Sequence, residues 1–128
     1  MLMVKKIFSI SLPAFLLAGC STEITNLTPR VETRNANGFY HVEAALHSTQ
    51  ETLRWNSVKP SVLVGTDVYS MQYTAWMTNR WETLIPAPAN TKVFYYRFKF
   101  DFKYDAWGSP PKVDSKLSPT YRLEIKDQ

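Results

Sequence analysis

The chain has 128 residues, 45% of them hydrophobic and 14% aromatic, with fifteen Lys and Arg residues against eleven Asp and Glu. This length provides for one domain with a single core and leaves no room for a second. One cysteine excludes an intrachain disulfide, so stability must come from apolar packing. The formal net charge is +4 and falls to +2 if the first 19 residues are removed, so composition does not favour nucleic-acid binding.

The first twenty residues have the organisation of a secretion signal. Lys5 and Lys6 precede an apolar run, residues 7–17, that is shorter than the roughly 20 apolar residues needed to span a bilayer. The run ends in Leu-Ala-Gly-Cys at positions 17–20. This ending resembles the lipobox of bacterial lipoprotein signal peptides and matches it at every position.

The lipobox resemblance implies cleavage after Gly19, a diacylglyceryl group on the sulfur of Cys20 and, usually, an acyl group on its new α-amino group. Because one acyl chain binds membranes only reversibly, two or three chains would give lasting attachment. Ser21 stands where aspartate would be the inner-membrane retention signal of enteric-type bacteria, and therefore predicts the outer membrane. The alternative is an ordinary cleaved signal that leaves a free thiol.

We predict a signal peptide over residues 1–19, a lipidated tether over 20–37 and a folded domain over 38–128. The tether is polar and contains at most one short strand, near residues 24–27. The first strand of the domain alternates apolar and polar residues after Gly38, which is typical of a half-buried strand. Its predicted inward residues are Tyr40, Val42, Ala44 and Leu46.

Three further strands follow in chain order. Residues 53–64 form the first, in which Pro60 marks a strand start or a sheet edge because proline cannot donate to a ladder. Residues 65–67 predict a hairpin turn, and residues 68–73 form the returning strand. The next strand, residues 80–85, ends at Pro86-Ala87-Pro88 and places Trp81, Thr83 and Ile85 on one face.

The clearest strand covers residues 93–102, where every second residue is aromatic. A helix would scatter these aromatics around its circumference, so they must form one buried face. A loop containing Gly108 and Pro110, Pro111 and Pro119 is predicted next, followed by a last strand. The aromatic face consists of Phe94, Tyr96, Phe98, Phe100 and Phe102, and the last strand points Tyr121, Leu123 and Ile125 inward.

Six or seven short strands separated by turn signals predict an all-β fold, an immunoglobulin-like antiparallel β-sandwich of about seven strands. The chain lacks the Cys…Trp…Cys framework of antibody domains. A small closed barrel is the alternative.

The second half also resembles a known family. A tryptophan strand with Trp81, a proline-containing turn at residues 86–88 and the segment Tyr-Tyr-Arg-Phe-Lys-Phe-Asp at 95–101 are similar to early-set immunoglobulin-like domains, which include glycogen- and starch-binding modules. The resemblance covers residues 76–125 and implies the fold, with glycan binding as a possible function. In that family Gly and Trp usually follow the Asp closely, whereas here residues 102–105 intervene before Trp107.

The sequence does not predict an enzyme, a metal site or a cofactor. Metal sites need three or four ligands, and His41 and His47 are the only histidines, which we expect to be solvated. Asp101, Asp105 and Asp114 alternate with lysines, a pattern more typical of a solvated face than of a Ca²⁺ site. The chain also lacks the Gly-x-Ser-x-Gly nucleophile elbow.

Trp76 and Trp107 are the candidate binding residues, because both lie in loop-like stretches beside polar residues. Arg80, Lys103 and Tyr104 lie near them in sequence and complete the predicted ligand or partner site. The alternative is that the two tryptophans plug the ends of the sandwich.

From these features we expect an envelope lipoprotein, anchored to the membrane by lipid on Cys20, that acts as a non-enzymatic accessory or structural module and binds a protein partner. The alternative functions are a glycan-binding surface lipoprotein that uses the loop tryptophans, and a structural spacer.

Overall fold

The structure, a computed structural model, describes residues 21–128, which form ten strands. None of these residues belongs to a helix that could cross a membrane. The strands are β1 Thr22–Asn26, β2 Val31–Thr33, β3 Phe39–Ser48, β4 Leu53–Val64, β5 Asp67–Ser70, β6 Gln72–Tyr73, β7 Arg80–Pro86, β8 Val93–Ala106, β9 Ser109–Leu117 and β10 Tyr121–Lys126.

The strands form two sheets. The first sheet has the order β1-β3-β7-β6, and the second has the order β2-β10-β8-β4-β5, with β9 also paired to β8. Every pairing is antiparallel except that of β2 with β10. These orders correspond to strands A-B-E-D and G-F-C-C′ of immunoglobulin domains. The predicted immunoglobulin-like sandwich is therefore confirmed, with ten strands rather than about seven.

The core lies between the inner faces of the two sheets. The predicted inward residues of β3 and the five residues of the predicted aromatic face of β8 are all buried, and Phe98 and Phe100 have no exposed surface. Trp81 and Ile85 from β7 and Leu123 and Ile125 from β10 complete the facing layers. Each large apolar side chain buried in this way contributes about 1.5–3 kcal/mol. The period-two alternation along the strands therefore determines the core.

The predicted strand over residues 68–73 is divided between the two sheets. β5 pairs with β4 in the second sheet, and β6 pairs with β7 in the first. The chain crosses at Met71, which is buried and whose backbone N–H donates to the Pro60 carbonyl at 3.1 Å. The turn predicted before this strand is confirmed, because Val64 pairs with Asp67 and Gly65 has a φ of 59°.

Pro60 lies inside β4, so its prediction as a strand start or sheet edge is wrong. Its carbonyl faces Met71, and the N–H and C=O of one strand residue point to the same side. The N–H that proline lacks would therefore face Met71 as well, and its loss removes no bond between β4 and β8. The Pro60 ring is buried.

The segment predicted as a tether is largely part of the sandwich. β1 pairs along its whole length with β3, from Thr22 with Ser48 to Asn26 with Ala44. β2 pairs with β10 in the other sheet. Residues 20–37 thus contribute two strands where one was expected, because strands of five and three residues are too short to show a periodic signal.

The predicted proline-containing loop after residue 102 is a long β-hairpin. β8 continues to Ala106, which pairs with Ser109 across a Trp107-Gly108 turn, and Gly108 has a φ of 68°. Every residue of β9 is exposed. Pro110 and Pro111 are tolerated because an edge strand can leave one side of its backbone unpaired.

Candidate functional site

Four chain segments meet at one end of the sandwich, which we name the amino-terminal end: Ser21, the loop 49–52, the loop 74–79 and the turn 107–108. The Thr49 N–H donates to the Ser21 carbonyl at 2.9 Å, and the Asp105 N–H donates to the Thr52 carbonyl at 2.9 Å. The Leu46 N–H donates to the Asn79 carbonyl at 3.0 Å and ties the loop 74–79 to the same end.

Both candidate tryptophans lie at the amino-terminal end and are fully exposed. The relative accessibility is 101% for Trp76 and 103% for Trp107. These values exclude the alternative in which the two indoles plug the sandwich. Each indole is free to contact a partner, since neither is used by the core.

Trp76 also has an unusual backbone conformation. Its φ of 65° is the only positive value among the described residues other than glycine. The left-handed conformation costs an L-residue roughly 1–2 kcal/mol. The surrounding turn, in which the Met77 N–H donates to the Thr74 carbonyl at 3.1 Å, holds Trp76 in place. Strain of this kind at an exposed aromatic is typical of recognition sites.

An apolar groove of about 550 Å³ opens beside Trp76. Trp55 lies on the β4 side, and Tyr73 and Met77 lie on the side of β6 and its following loop; all three are partly exposed. The Tyr73 ring lies 5.0 Å from the buried Trp81 ring, so this wall of the groove packs on the core. The other residues that line the groove are Asn56, Thr78 and Asn79.

A bulge in β4 creates the groove. Five residue steps along β4, from Arg54 to Lys59, correspond to only two along β8, from Lys103 to Asp101. The extra residues displace Trp55 from the regular alternation and leave it 38% exposed. The sequence does not predict Trp55, Tyr73 and Met77 as site residues, because the first two fall in segments that resemble regular strands.

Arg80 directly follows the loop 74–79, but its side chain is directed away from the two tryptophans. Its Nη2 forms an ion pair with Glu43 at 2.9 Å on the outer face of the first sheet. The Thr74 hydroxyl donates to the same Glu43 carboxylate at 3.2 Å. Arg80 therefore stabilises the start of β7 and the loop that carries Trp76.

Lys103 and Tyr104 do not form a common site with the two tryptophans either. Lys103 is exposed on the outer face of the second sheet, on the opposite side of the sandwich from Arg80. Tyr104 is partly buried and packs against the core. The structure thus brings Trp76 and Trp107 to one end, but it does not gather all five predicted residues into one pocket.

His41 lies beside two carboxylates on the outer face of the first sheet. Its Nε2 is 2.7 Å from Glu82 Oε2, and one atom each of His41, Glu43 and Glu82 lie within 4.8 Å of one another. Glu43 is already neutralised by Arg80. This arrangement is an ion-paired surface cluster.

Two of the three aspartates near the long hairpin are paired with cations. Asp101 lies 3.6 Å from Lys99 Nζ, and Asp105 accepts from Arg54 Nε at 2.7 Å. These pairs support the interpretation of the alternating charges as a solvated face.

A second groove, of about 620 Å³, lies where the chain passes from β1 to β2. The Asn26 side-chain amide donates to the Tyr96 hydroxyl at 2.8 Å within it. Burial raises the pKa of Tyr96, and hydrogen bonds with Asn26 and Thr28 partly oppose that rise. This polar contact connects the first sheet to the second.

No protein-family model and no curated protein matches the chain. Among solved structures, the chain is similar to murine CRIg with 12% sequence identity and a TM-score of 0.42, over 83% of this chain and 98% of that one.

Proposed function

We propose that this chain is a lipid-anchored envelope protein whose immunoglobulin-like sandwich is a non-enzymatic module that binds a protein partner. The anchor in this proposal is Cys20, which lies outside the described residues. The outer membrane is the proposed location, because Ser21 follows the lipobox cysteine.

The groove between Trp55 and Tyr73 is the observation that supports a protein partner. Its lining is mainly apolar, and its aromatic side chains are of the kind that dominate binding energy at protein interfaces. Asn56, Thr78 and Asn79 provide hydrogen-bonding groups along it. An apolar centre with polar groups around it is the usual composition of such interfaces.

Site-specific photocrosslinking tests this proposal. A benzophenone amino acid placed at Tyr73 should give a defined adduct with one envelope protein in intact cells. The same amino acid at Val68, which is 65% exposed near the opposite end, is the matched control. Identical adducts from both positions, or none from Tyr73, would contradict a groove-bound partner.

A glycan ligand is the second candidate, favoured by the complete exposure of the Trp76 and Trp107 indoles. Sugars stack on exposed aromatic faces, and these two indoles are available for that contact. Binding of purified protein to peptidoglycan, lipopolysaccharide and glucan would support this candidate if it is lost in Trp76→Ala and Trp107→Ala but kept in Val68→Ala.

A further inference from the structure

The described chain leaves almost no spacer between Cys20 and the folded domain. β1 begins at Thr22, and only Ser21 separates it from Cys20. The Ser21 N–H donates to the Thr49 hydroxyl at 2.8 Å, and its carbonyl accepts from the Thr49 N–H. Ser21 is therefore fixed to this end of the sandwich through both of its backbone polar groups.

We propose that the amino-terminal end lies directly on the bilayer, with the Trp76 and Trp107 indoles inserted at the level of the lipid headgroups. This inference rests on the lipid anchor of the proposed function. A lipid on Cys20 would hold this end of the sandwich at the membrane surface, since no flexible tether separates them. The two most exposed aromatic side chains of the described residues lie at this end.

The β8–β9 hairpin extends toward the proposed membrane surface. Tyr104 pairs with Leu53, the first residue of β4, and the hairpin continues to its turn at Trp107. Three further residues of strand extend about 10 Å. Trp107 thus lies about 10 Å past the start of β4, and tryptophan favours the membrane–water interface because its ring is apolar and its N–H is polar.

The charges near Trp107 are compatible with a phospholipid surface. Arg54 neutralises Asp105 at 2.7 Å, which removes an unpaired negative charge next to the turn. Lys103 and Lys112 lie on the neighbouring positions of β8 and β9, and both are exposed. Their ammonium groups can approach lipid phosphates while the indole enters the interface.

Phe39, at the opposite end of the sandwich, provides a control position for the proposed orientation. Phe39 begins β3 and pairs with Pro86, whereas Ser48 at the other end of β3 pairs with Thr22. Nine strand steps separate Phe39 from Ser48, which is about 30 Å. Phe39 is 43% exposed, so a tryptophan introduced there would report on the end that faces away from the bilayer.

Quenching of tryptophan fluorescence by brominated lipid tests the orientation. The full lipoprotein is reconstituted into vesicles of phosphatidylethanolamine and phosphatidylglycerol at 3:1, with and without brominated phosphatidylcholine. We expect strong quenching of the wild type and at least a twofold smaller quenched fraction in Trp76→Phe/Trp107→Phe. Adding Phe39→Trp to that double variant should add emission that the brominated lipid does not quench.

The outcomes separate the orientation from the anchor. Mass spectrometry of the N-terminal peptide first establishes whether Cys20 carries lipid, and absence of lipid would overturn the proposed anchor. In lipidated protein, equal quenching of wild type and double variant, or quenching at Phe39→Trp, would overturn the orientation alone. Loss of partner or glycan binding in the double variant with no quenching in the wild type would also overturn it and assign the two tryptophans to that ligand.

Discussion

The rings of Trp81 and Phe100 meet edge to face between the two sheets, with centroids 5.4 Å apart and an interplanar angle of 76°. Trp81 comes from β7 in the first sheet, and Phe100 comes from the middle of β8 in the second. Aromatic pairs in this arrangement contribute about 0.5–1.5 kcal/mol beyond the burial of their area. The contact joins the two sheets behind Tyr73, the groove residue whose ring packs on Trp81.

The alternation along β8 predicts very different effects for adjacent substitutions. Phe98 has no exposed surface, so Phe98→Ala should lower the free energy of unfolding by about 3–5 kcal/mol. Lys99 lies on the outer face and forms only a half-exposed ion pair with Asp101, so Lys99→Ala should cost less than about 0.5 kcal/mol. Urea denaturation measures both; equal midpoints would mean that the faces of β8 are wrongly assigned.

Trp76 and Trp107 should matter for binding and not for stability. Trp76→Ala and Trp107→Ala should leave the melting temperature nearly unchanged, because neither side chain is buried. Trp76→Gly should increase the free energy of unfolding by up to about 1 kcal/mol, since glycine adopts positive φ without the cost that tryptophan bears. Calorimetry tests this, and a large loss of stability in either alanine variant would show that the indole packs in the core after all.

Titration of Tyr96 should affect stability at alkaline pH. Burial raises its pKa above the ordinary tyrosine value of 10.0, so the folded state holds the hydroxyl proton more strongly than the unfolded state does. This stabilisation is fully present below pH 10 and is lost as the pH rises through the pKa of the folded state. Unfolding by urea at a series of alkaline pH values should show a steeper loss for wild type than for Tyr96→Phe. Parallel curves would exclude Tyr96 as the cause.

Cys20 should be the site of lipid attachment. Metabolic labelling with a palmitate analogue should mark the wild type and not Cys20→Ala, because the alanine variant has no sulfur to modify. Ser21→Ala is the matched control and should be labelled like the wild type, since Ser21 contacts Thr49 through its backbone. Equal labelling of wild type and Cys20→Ala would refute lipidation at this residue.

The strand faces could be predicted because the period-two pattern is local. Tyr40, Val42, Ala44 and Leu46 alternate with polar or small residues, and the aromatics of β8 do so over five repeats. Slipping such a strand by one residue would turn its whole apolar face to water, so the pattern alone determines which residues form the core. The same reasoning placed Trp76 and Trp107 in loops, but it left open whether they plug the ends of the sandwich, and only the structure shows that both are exposed.

Pairing between distant segments was decided by the tertiary structure. β1, β2 and β9 are short or proline-containing, and each becomes a strand because a longer neighbour supplies its hydrogen bonds. The groove depends on Trp55 and Tyr73, which a bulge in β4 and the crossing of the chain at Met71 bring together. The local sequence determines which side of a strand is apolar. Which neighbouring strand it pairs with, and which other segments lie beside its ends, depend on contacts between residues far apart in the chain.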